Sequence, residues 1–588
     1  MPSGPRARRA LTSAARRGYR VAQRLRPRAS ASDGRPAAAV CAELEALTQD
    51  GRGDAAVAVV RRELVALGRD VVFLDLARRA ASRAGEPTLQ LEVVRAQLAA
   101  TSRLEAPVRA RLERARRQVE GRLRETDPSW APGVPAEVVT SAVELLHQAR
   151  AERGGGLPLR PAHLLKIALP QRQSGYSVRT RYNLAAQVEA GLDPVAVTAL
   201  DFAADDDSPQ DVHGVPHHHL RRAEVPVHET QDEHLDAYAS ALAPVLAGLA
   251  PDLLHVHSGG RGYEAALVGG AVAQALGLPW VYEVRGFFEA TWSPDPEHAE
   301  GAETYRRRRA ADTRAMLAAD AVVTLSESMR GDIVGRGVPA ERVHVVPNGV
   351  DAQAFSPRER SPELVQRYGL EGRFVFGYVS NLDHYREAQE LLVDAAIALR
   401  AKGVDATALV VGDGQRRAEV EAHAAVVGAG DAVVFTGRVP HDEVLDHYAL
   451  MDVFVVPRVD EQAARLVTPL KPFEAMAAGL PVVVSDLPAL TEITGAGARG
   501  ESFPAGDGTA LADVLARLHA DPERRAELAG AGREWVSTQR SWSANGPRYQ
   551  AVYDAVLRDR CPRRSPFAPG YETLLAALRR ARTLSKGS

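Results

Sequence analysis

The sequence predicts an α/β protein in which two Rossmann-like domains face a central crevice, preceded by an all-α amino-terminal region. Three observations carry this prediction. Short apolar runs such as Leu253–Val256, Phe374–Val379 and Val453–Val456 recur from Leu164 onward, and unbroken apolarity suits strands buried on both faces of a parallel sheet. Helical stretches separate successive runs, as the crossovers between parallel strands require. From Ala37 to Leu123 the chain is instead rich in Ala, Leu, Val and Arg and reads as helix throughout.

Size and charge bound the rest. At 588 residues the chain has room for about three or four domain-sized units, and 45% hydrophobic residues can bury real cores. A net charge of −2 predicts no bulk affinity for nucleic acid. Cys41 and Cys561, at opposite ends of the chain, cannot build a disulfide framework and suit a reducing, cytoplasmic compartment. The longest uncharged run, Ala265–Tyr282, contains glycines, a Gln and Pro279, so it reads as a helix turning into a strand rather than a membrane span.

In chain order, residues 1–36 form a basic arm. Met1–Arg28 carries nine arginines, no acidic residue and no apolar core of secretory-signal length. Leu11, Ala14, Ala15, Tyr19 and Ala22 fall at helical spacings, so the arm fits a basic amphipathic helix on an anionic membrane surface such as the inner face of the plasma membrane. A disordered charged tail is the alternative. Residues 37–150 break near Asp50–Gly53, Gly68–Asp70, Gly85–Pro87 and Ser102–Pro107. That rhythm of about 17 residues would pair into helical-repeat units of about 34, with a small helical bundle as the simpler reading. The segments APGVPAE and ERGGGLPLRP set this region apart from the α/β part of the chain.

Residues 163–357 form the first α/β domain. Leu164–Leu169 is its first strand, a helix runs through Val188, and Pro194–Thr198 is the second strand. Gly175, in the loop between them, permits close backbone approach at the helix head. Asp205, Asp206 and Asp207 with His213, His217, His218 and His219 fit a metal motif or, more plainly, a polar loop and a hairpin turning at Gly214. Leu253–Val256 and Trp280–Val284 are strands whose carboxyl ends deliver His257, Glu283, Arg285 and Gly286 to the crevice, although a lone His after a strand is more often structural than catalytic. Val322–Leu325 and Val343–Val346, running into PNGVD, complete the domain.

The second domain, residues 371–545, opens with Phe374–Val379 and continues through Ala408–Val411, then GDG, and Val433–Phe435, then TGRVPHDEV. Its centre is Asp452–Glu492, read as a strand, a loop, one short helix and a second strand at Pro481–Ser485. Thr468 serves as N-cap, the prolines at 469 and 472 need no donor there, and Gly479 ends the helix. A helix starting just past a strand's carboxyl end points free amides into the crevice, which makes a phosphate site. Lys471 in its first turn opposes the helix dipole unless an anion lies between them. Arg458 faces the same crevice, and Glu474, further inside, can accept hydrogen bonds from sugar hydroxyls. A nucleotide diphosphate satisfies all three; singly, Lys471 reads as a solvated cation and Glu474 as a dipole partner.

On PLKPFEAMAAGLPVVVSD, TGRVPHDEV, VVPNGVD and YEVRGF, residues 163 to 557 resemble the retaining family 4 glycosyltransferases of GT-B fold, and within them a subgroup with a TPLKPFEAMA donor loop. The resemblance implies a hexosyltransferase-type enzyme that needs no metal and no cofactor beyond its substrate. It would move a sugar from a nucleotide-sugar donor to a glycan, glycolipid or small polyol acceptor in cell-surface polysaccharide or glycoconjugate biosynthesis, with an inositol phosphate acceptor as a narrower case. It also implies residue roles. Glu474 binds the donor ribose, the loop at Arg438 and Val439 cups the base, and Arg458, Lys471 and Arg386 meet the diphosphate beside Thr468 and Leu470. Gly175 faces donor and acceptor, Tyr176, Glu283 and Arg285 contact the acceptor, and His257 is the active-site histidine. The last helical segment, Trp535–Leu557, crosses back to the first domain.

Two positions depart from the family pattern. Leu466 stands where the family has the first Glu of its pair, so that contact would come from backbone amides or from Glu461; Asn381 stands where Arg is frequent. Transfer with retention needs no protein nucleophile if positive potential stabilises the leaving diphosphate. The alternatives are a non-catalytic sugar-nucleotide or polysaccharide-binding scaffold working through its helical region, which Leu466 favours, and an epimerase of the same fold, which lacks assignable groups around the sugar.

Overall fold

The computed structural model describes residues 32–100, 106–203, 205–206, 208–221, 230–293, 296–440 and 442–558. The basic arm Met1–Arg28, Asp207 and the tail after Arg558 lie outside these residues.

Two sheets frame the molecule. The first contains β1 (Pro161–Leu165), β2 (Val195–Thr198), β3 (Gln210–Val212), β4 (Val215–His219), β5 (Leu253–His257), β6 (Trp280–Glu283), β7 (Ala321–Thr324) and β8 (Val343–Val345). Its order is β3-β4-β2-β1-β5-β6-β7-β8, parallel except for the β3–β4 hairpin. The second contains β9 (Phe374–Val379), β10 (Ala406–Val411), β11 (Val433–Gly437), β12 (Val453–Val456), β13 (Val482–Ser485) and β14 (Glu501–Phe503). It is parallel throughout, in the order β11-β10-β9-β12-β13-β14. Strand order reverses between β1 and β5 and between β9 and β12, and ligands in such sheets bind at these switch points, outside the carboxyl ends.

The continuous apolar runs are buried as expected: every residue of β1, β2, β5, β6, β7, β10, β12 and β13 is buried. β1 starts at Pro161 because its pairing with β5 begins there, opposite Leu253, and it ends at Leu165. Ile167 and Ala168 stay buried beyond it, so apolarity outlasts the strand. The residues between Gln210 and His219 form the plain hairpin. Gly214 turns at φ 84°, with its N–H donating to Asp211 Oδ1 at 3.0 Å.

Among the described residues six helices precede the first sheet: α1 (Ala37–Gln49), α2 (Gly53–Leu67), α3 (Val71–Arg83), α4 (Pro87–Ala100), α5 (Ala106–Glu125) and α6 (Ala136–Arg153). The breaks after α1, α2 and α3 fall where Gly, Asp and Pro cluster, the break expected at Ser102–Pro107 lies largely outside the described residues, and Asp70 caps α3 by accepting from the N–H groups of Val72 and Phe73. Val40, Leu44, Val60, Phe73, Leu74 and Val93 form the shared core of α1 to α4. This array is docked on the first domain. Thr304 N donates to Gly85 O at 2.9 Å, Thr88 N donates to Glu303 at 3.0 Å, and one Arg314 nitrogen donates to the carbonyls of Asp127, Pro128 and Trp130. Among the described residues no helix is long and apolar enough to cross a membrane.

Three helices position the site. α7 (Gly175–Glu189) follows β1, α8 (Gln231–Gly248) lies against α6, and α9 (Asn545–Arg558) returns from the second domain to pack Tyr549, Val552, Tyr553 and Val556 on Leu253, Val281 and Val323. The two crossings between domains run side by side, with Val350 N donating to Arg540 O at 2.8 Å. Gly349 makes that approach possible, since a Cβ there would lie 2.8 Å from Arg540 O.

Candidate functional site

Outside the carboxyl ends of β9 and β10 lies a cleft of about 740 Å³, whose lining includes Ser380, Asn381, Gly412, Arg438, Val439 and Lys471. Its floor requires glycine: Gly412 adopts φ 135°, and a Cβ there would sit 1.8 Å from Ser380 O. Lys471 opens the helix Lys471–Ala477 and reaches the cleft from the side of β12. Neither Lys471 nor Arg438 has an ion pair or a side-chain hydrogen bond among the described residues, so both charges are available to a ligand. Glu474 lies one turn along the helix, half-buried, and accepts from Tyr448 OH at 2.9 Å.

Arg458 does not face the cleft as the sequence predicts. It is buried, donating from one nitrogen to Glu387 Oε1 at 2.9 Å and from another to Val467 O at 3.0 Å. Burial would raise the Glu387 pKa, but Arg458, the hydrogen bond from Tyr378 and nearby Lys471 together hold it below the usual carboxylate range. Arg458 therefore braces the donor loop from behind. Arg386 is likewise engaged, with Glu461 at 3.4 Å, and Glu461 also accepts from Tyr385.

The donor loop differs in shape from the expected one. It contains two helices, Gln462–Leu466 and Lys471–Ala477. Leu470 holds the N-cap position of the second without a side-chain cap, so Thr468 is not the cap. The Thr468 carbonyl accepts from Asn348 Nδ2 at 2.9 Å, tying the loop to the interdomain linker. Leu466 and Val467 pack against the core of the first domain, and Leu466 O accepts from Ser326 at 2.8 Å. The position where the family carries an acid is thus an apolar contact between domains. Gly175 stands opposite, where a Cβ would meet Leu470 at 3.7 Å.

His257 and Glu283 are the second correction: both are buried rather than open to the crevice. Alternation along β1, β5 and β6 puts His163, His255, His257 and Glu283 on one face, and α7 and α9 cover it. His257 Nε2 lies 2.9 Å from His163 Nδ1, while its Nδ1 has no partner and lies 3.7 Å from Glu283. Burial, helped by neighbouring positive charge, pushes His163 and His257 well below the ordinary histidine value, and His255 is lowered too. Glu283 takes Arg179 at 3.0 Å, Arg285 at 2.8 Å, His255 at 3.1 Å and Tyr549 OH at 2.8 Å. Arg179 also donates to the carbonyls of Val346 and Pro347, so the network reaches the linker.

The three histidines offer ligand atoms within 4.8 Å of one another. Two guanidiniums on the adjoining carboxylate and the hydrogen bonds already made by His163 and His255 oppose a dication there. Arg285 sits at the edge of this network. Its guanidinium lies 4.3 Å from the Tyr176 ring centroid, and one terminal nitrogen has no partner. Tyr176 OH accepts from Lys166 N at 3.1 Å, placing this pair beside the loop after β1.

Sequence reasoning missed Glu387, Arg179, His163, His255, Tyr549 and Tyr553. One signal was present: PAHLL and LLHVH put histidines at alternate positions of otherwise apolar strands, which marks a polar seam inside a sheet face.

Two largely parallel sheets, each with a switch point, and a return helix closing the first domain give the GT-B fold. Residues 174–349 match the model of the glycosyl transferase 4-like domain, and residues 373–521 match that of glycosyl transferases group 1. The 2-deoxystreptamine glucosyltransferase of Streptomyces kanamyceticus is 30% identical over 298 residues, 49% of this chain and 73% of that protein. The GDP-mannose-dependent alpha-(1-6)-phosphatidylinositol monomannoside mannosyltransferase of Mycolicibacterium smegmatis is 30% identical over 237 residues, 39% of this chain and 61% of that protein. The crystal structure of Anabaena HepE in complex with UDP superposes with a TM-score of 0.52 at 19% identity, covering 68% of this chain and 100% of that one. The chain belongs to the group 1, family 4 glycosyltransferases.

Proposed function

We infer that the protein is a retaining, metal-independent transferase that takes its sugar from a nucleotide donor held in the cleft beside Lys471. The single observation behind this reading is the unpaired Lys471 ammonium on a glycine-floored cleft at the switch point of the second sheet. A preorganised cation there stabilises the diphosphate as it leaves, with no reorganisation during the reaction. Arg458 contributes through Glu387 and the loop backbone rather than by touching the phosphates, and Glu474, steadied by Tyr448, is the ribose acceptor. Arg285 and Tyr176 border the acceptor side. The relatives named above act with glucosyl and mannosyl donors, which supports a hexose nucleotide as substrate. The arginine-rich arm would hold the enzyme near anionic lipid, where glycolipid acceptors are presented.

The test is donor hydrolysis screened across UDP-, GDP- and ADP-sugars, repeated in EDTA, with the product anomer assigned by NMR. Lys471→Ala should lose on the order of 10²-fold in turnover while folding normally. Wild-type turnover in that variant, or loss of activity on chelation, overturns the reading. Donor binding without turnover in the wild type would favour the scaffold.

A further inference from the structure

A second cavity of about 200 Å³ lies where the helical array meets the first domain, and four of its lining residues are arginines: Arg122, Arg261, Arg307 and Arg308. Arg122 comes from α5, Arg261 from the loop after β5, and the other two from the helix Glu303–Ala318. Tyr263 and Trp292 add an aromatic wall.

Two of these cations are already compensated. Arg261 pairs with Glu125 at 2.7 Å and Glu264 at 2.6 Å, and Arg307 pairs with Glu303 at 2.5 Å. Arg122 and Arg308 have no carboxylate partner among the described residues. Arg122 donates to Gln118 O at 3.3 Å and Arg308 to Phe288 O at 3.4 Å. Burial pushes Glu125 up to about 7, so near neutral pH the cavity loses part of its compensating negative charge. Guanidiniums converging without matching acids form an unfavourable arrangement that an oxyanion relieves, and several forks can engage one phosphate at once.

The site is built rather than incidental. Trp292 presses on the α3–α4 turn so closely that a Cβ at Gly85 would lie 2.4 Å from its ring, and Gly85 O accepts from Thr304 N and Oγ1. The loop carrying Arg261 begins at Ser258, whose hydroxyl accepts from Arg285 N at 2.9 Å, and Gly259 abuts Lys166. One loop thus links this wall of the cavity to the carboxyl ends of β1, β5 and β6.

We propose that this cavity binds a phosphate group carried by the acceptor, which makes the helical array one wall of an acceptor subsite. Arg122, Glu125 and the Gly85 turn lie outside both stretches matched by the family models, so the family resemblance does not supply this wall of the cavity. The word acceptor rests on the transferase reading; the binding of phosphate does not. A soluble sugar phosphate and a phospholipid headgroup share the required chemistry.

The experiment is isothermal titration of the full chain with glucose 6-phosphate and, separately, with dihexanoyl phosphatidylglycerol. It is repeated for Arg122→Gln, Arg308→Gln, the double variant and Lys471→Ala. At least one probe should bind the wild type and Lys471→Ala equally, and should bind each single arginine variant about tenfold more weakly. The double variant should lose about 10²-fold. Tight binding of only one probe identifies the source of the phosphate. Failure of both probes to bind the wild type, or wild-type affinity in the double variant, overturns the proposal. Arg122 is exposed, so its variant remains informative if the double variant misfolds. Donor hydrolysis on the same samples tests the transferase reading separately and should be unchanged in both arginine variants.

Discussion

Replacing Glu283 with glutamine separates the buried role of this residue from the acceptor contact that its motif implies. The carboxylate is fully buried, with Arg179 and Arg285 on one oxygen and His255 and Tyr549 on the other. Burial works against its charge, yet the two guanidiniums hold its pKa well below the carboxylate range. Glu283→Gln keeps the shape, removes the counter-charge of two buried arginines, and turns an amide NH₂ toward groups that themselves donate. Removing one partner from a buried ion pair costs about 3–5 kcal/mol. At about 2–4 °C per kcal/mol for a domain of this size, the melting temperature should fall by roughly 6–20 °C. Scanning calorimetry reads this directly, with donor and acceptor KM measured well below the transition. A variant that melts with the wild type and changes only acceptor KM would refute the structural role and return Glu283 to the crevice.

Three further outcomes follow from the same geometry. His163, His255 and His257 all have lowered folded-state pKa values, so the unfolded chain binds more protons below about 6.5. Stability should then fall with decreasing pH by up to about 1.4 kcal/mol per unit per histidine; equal melting temperatures at pH 7.5 and 5.5 would contradict this. The seam's Glu283, held low, and Arg285, raised, keep their charge across that window. Arg458→Ala strands Glu387 and should cost about 3–5 kcal/mol in urea unfolding, whereas a wild-type midpoint with reduced kcat would put Arg458 on the donor itself. Gly412→Ala forces a Cβ into Ser380 O at φ 135° and should destabilise the second domain by about 1–3 kcal/mol with raised donor KM, so unchanged values of both would mean the cleft floor has been misread.

Much of the frame was legible because buried parallel strands leave uninterrupted apolar runs. Phe374–Val379 and Val453–Val456 match β9 and β12 residue for residue. The helix breaks at Asp50–Gly53, Gly68–Asp70 and Gly85–Pro87 were equally plain, since Gly, Pro and Asp stop helices by local chemistry alone. The hidden features depend on partners far along the chain. Whether the His255–Glu283 face meets solvent or a helix is decided by Tyr549 and Tyr553, which lie 266 residues from Glu283 and 298 from His255. Thr468 has the chemistry of an N-cap, but its carbonyl is held by Asn348, 120 residues earlier. Leu466 looked like a lost acid and is an interdomain plug, which no local pattern encodes.

The return of α9 to the first sheet sets a timetable for assembly. β8 ends at Val345 and α9 starts at Asn545, about 200 residues later, and at about 5–20 residues per second the ribosome needs roughly 10–40 s to span that interval. Through that time the first sheet has its strands but not the helix that completes the setting of Glu283 and His255. The second sheet lies within one continuous stretch, from Phe374 to Phe503, and can close while the first still waits. Order of completion thus runs against order of synthesis: the domain begun first is finished last.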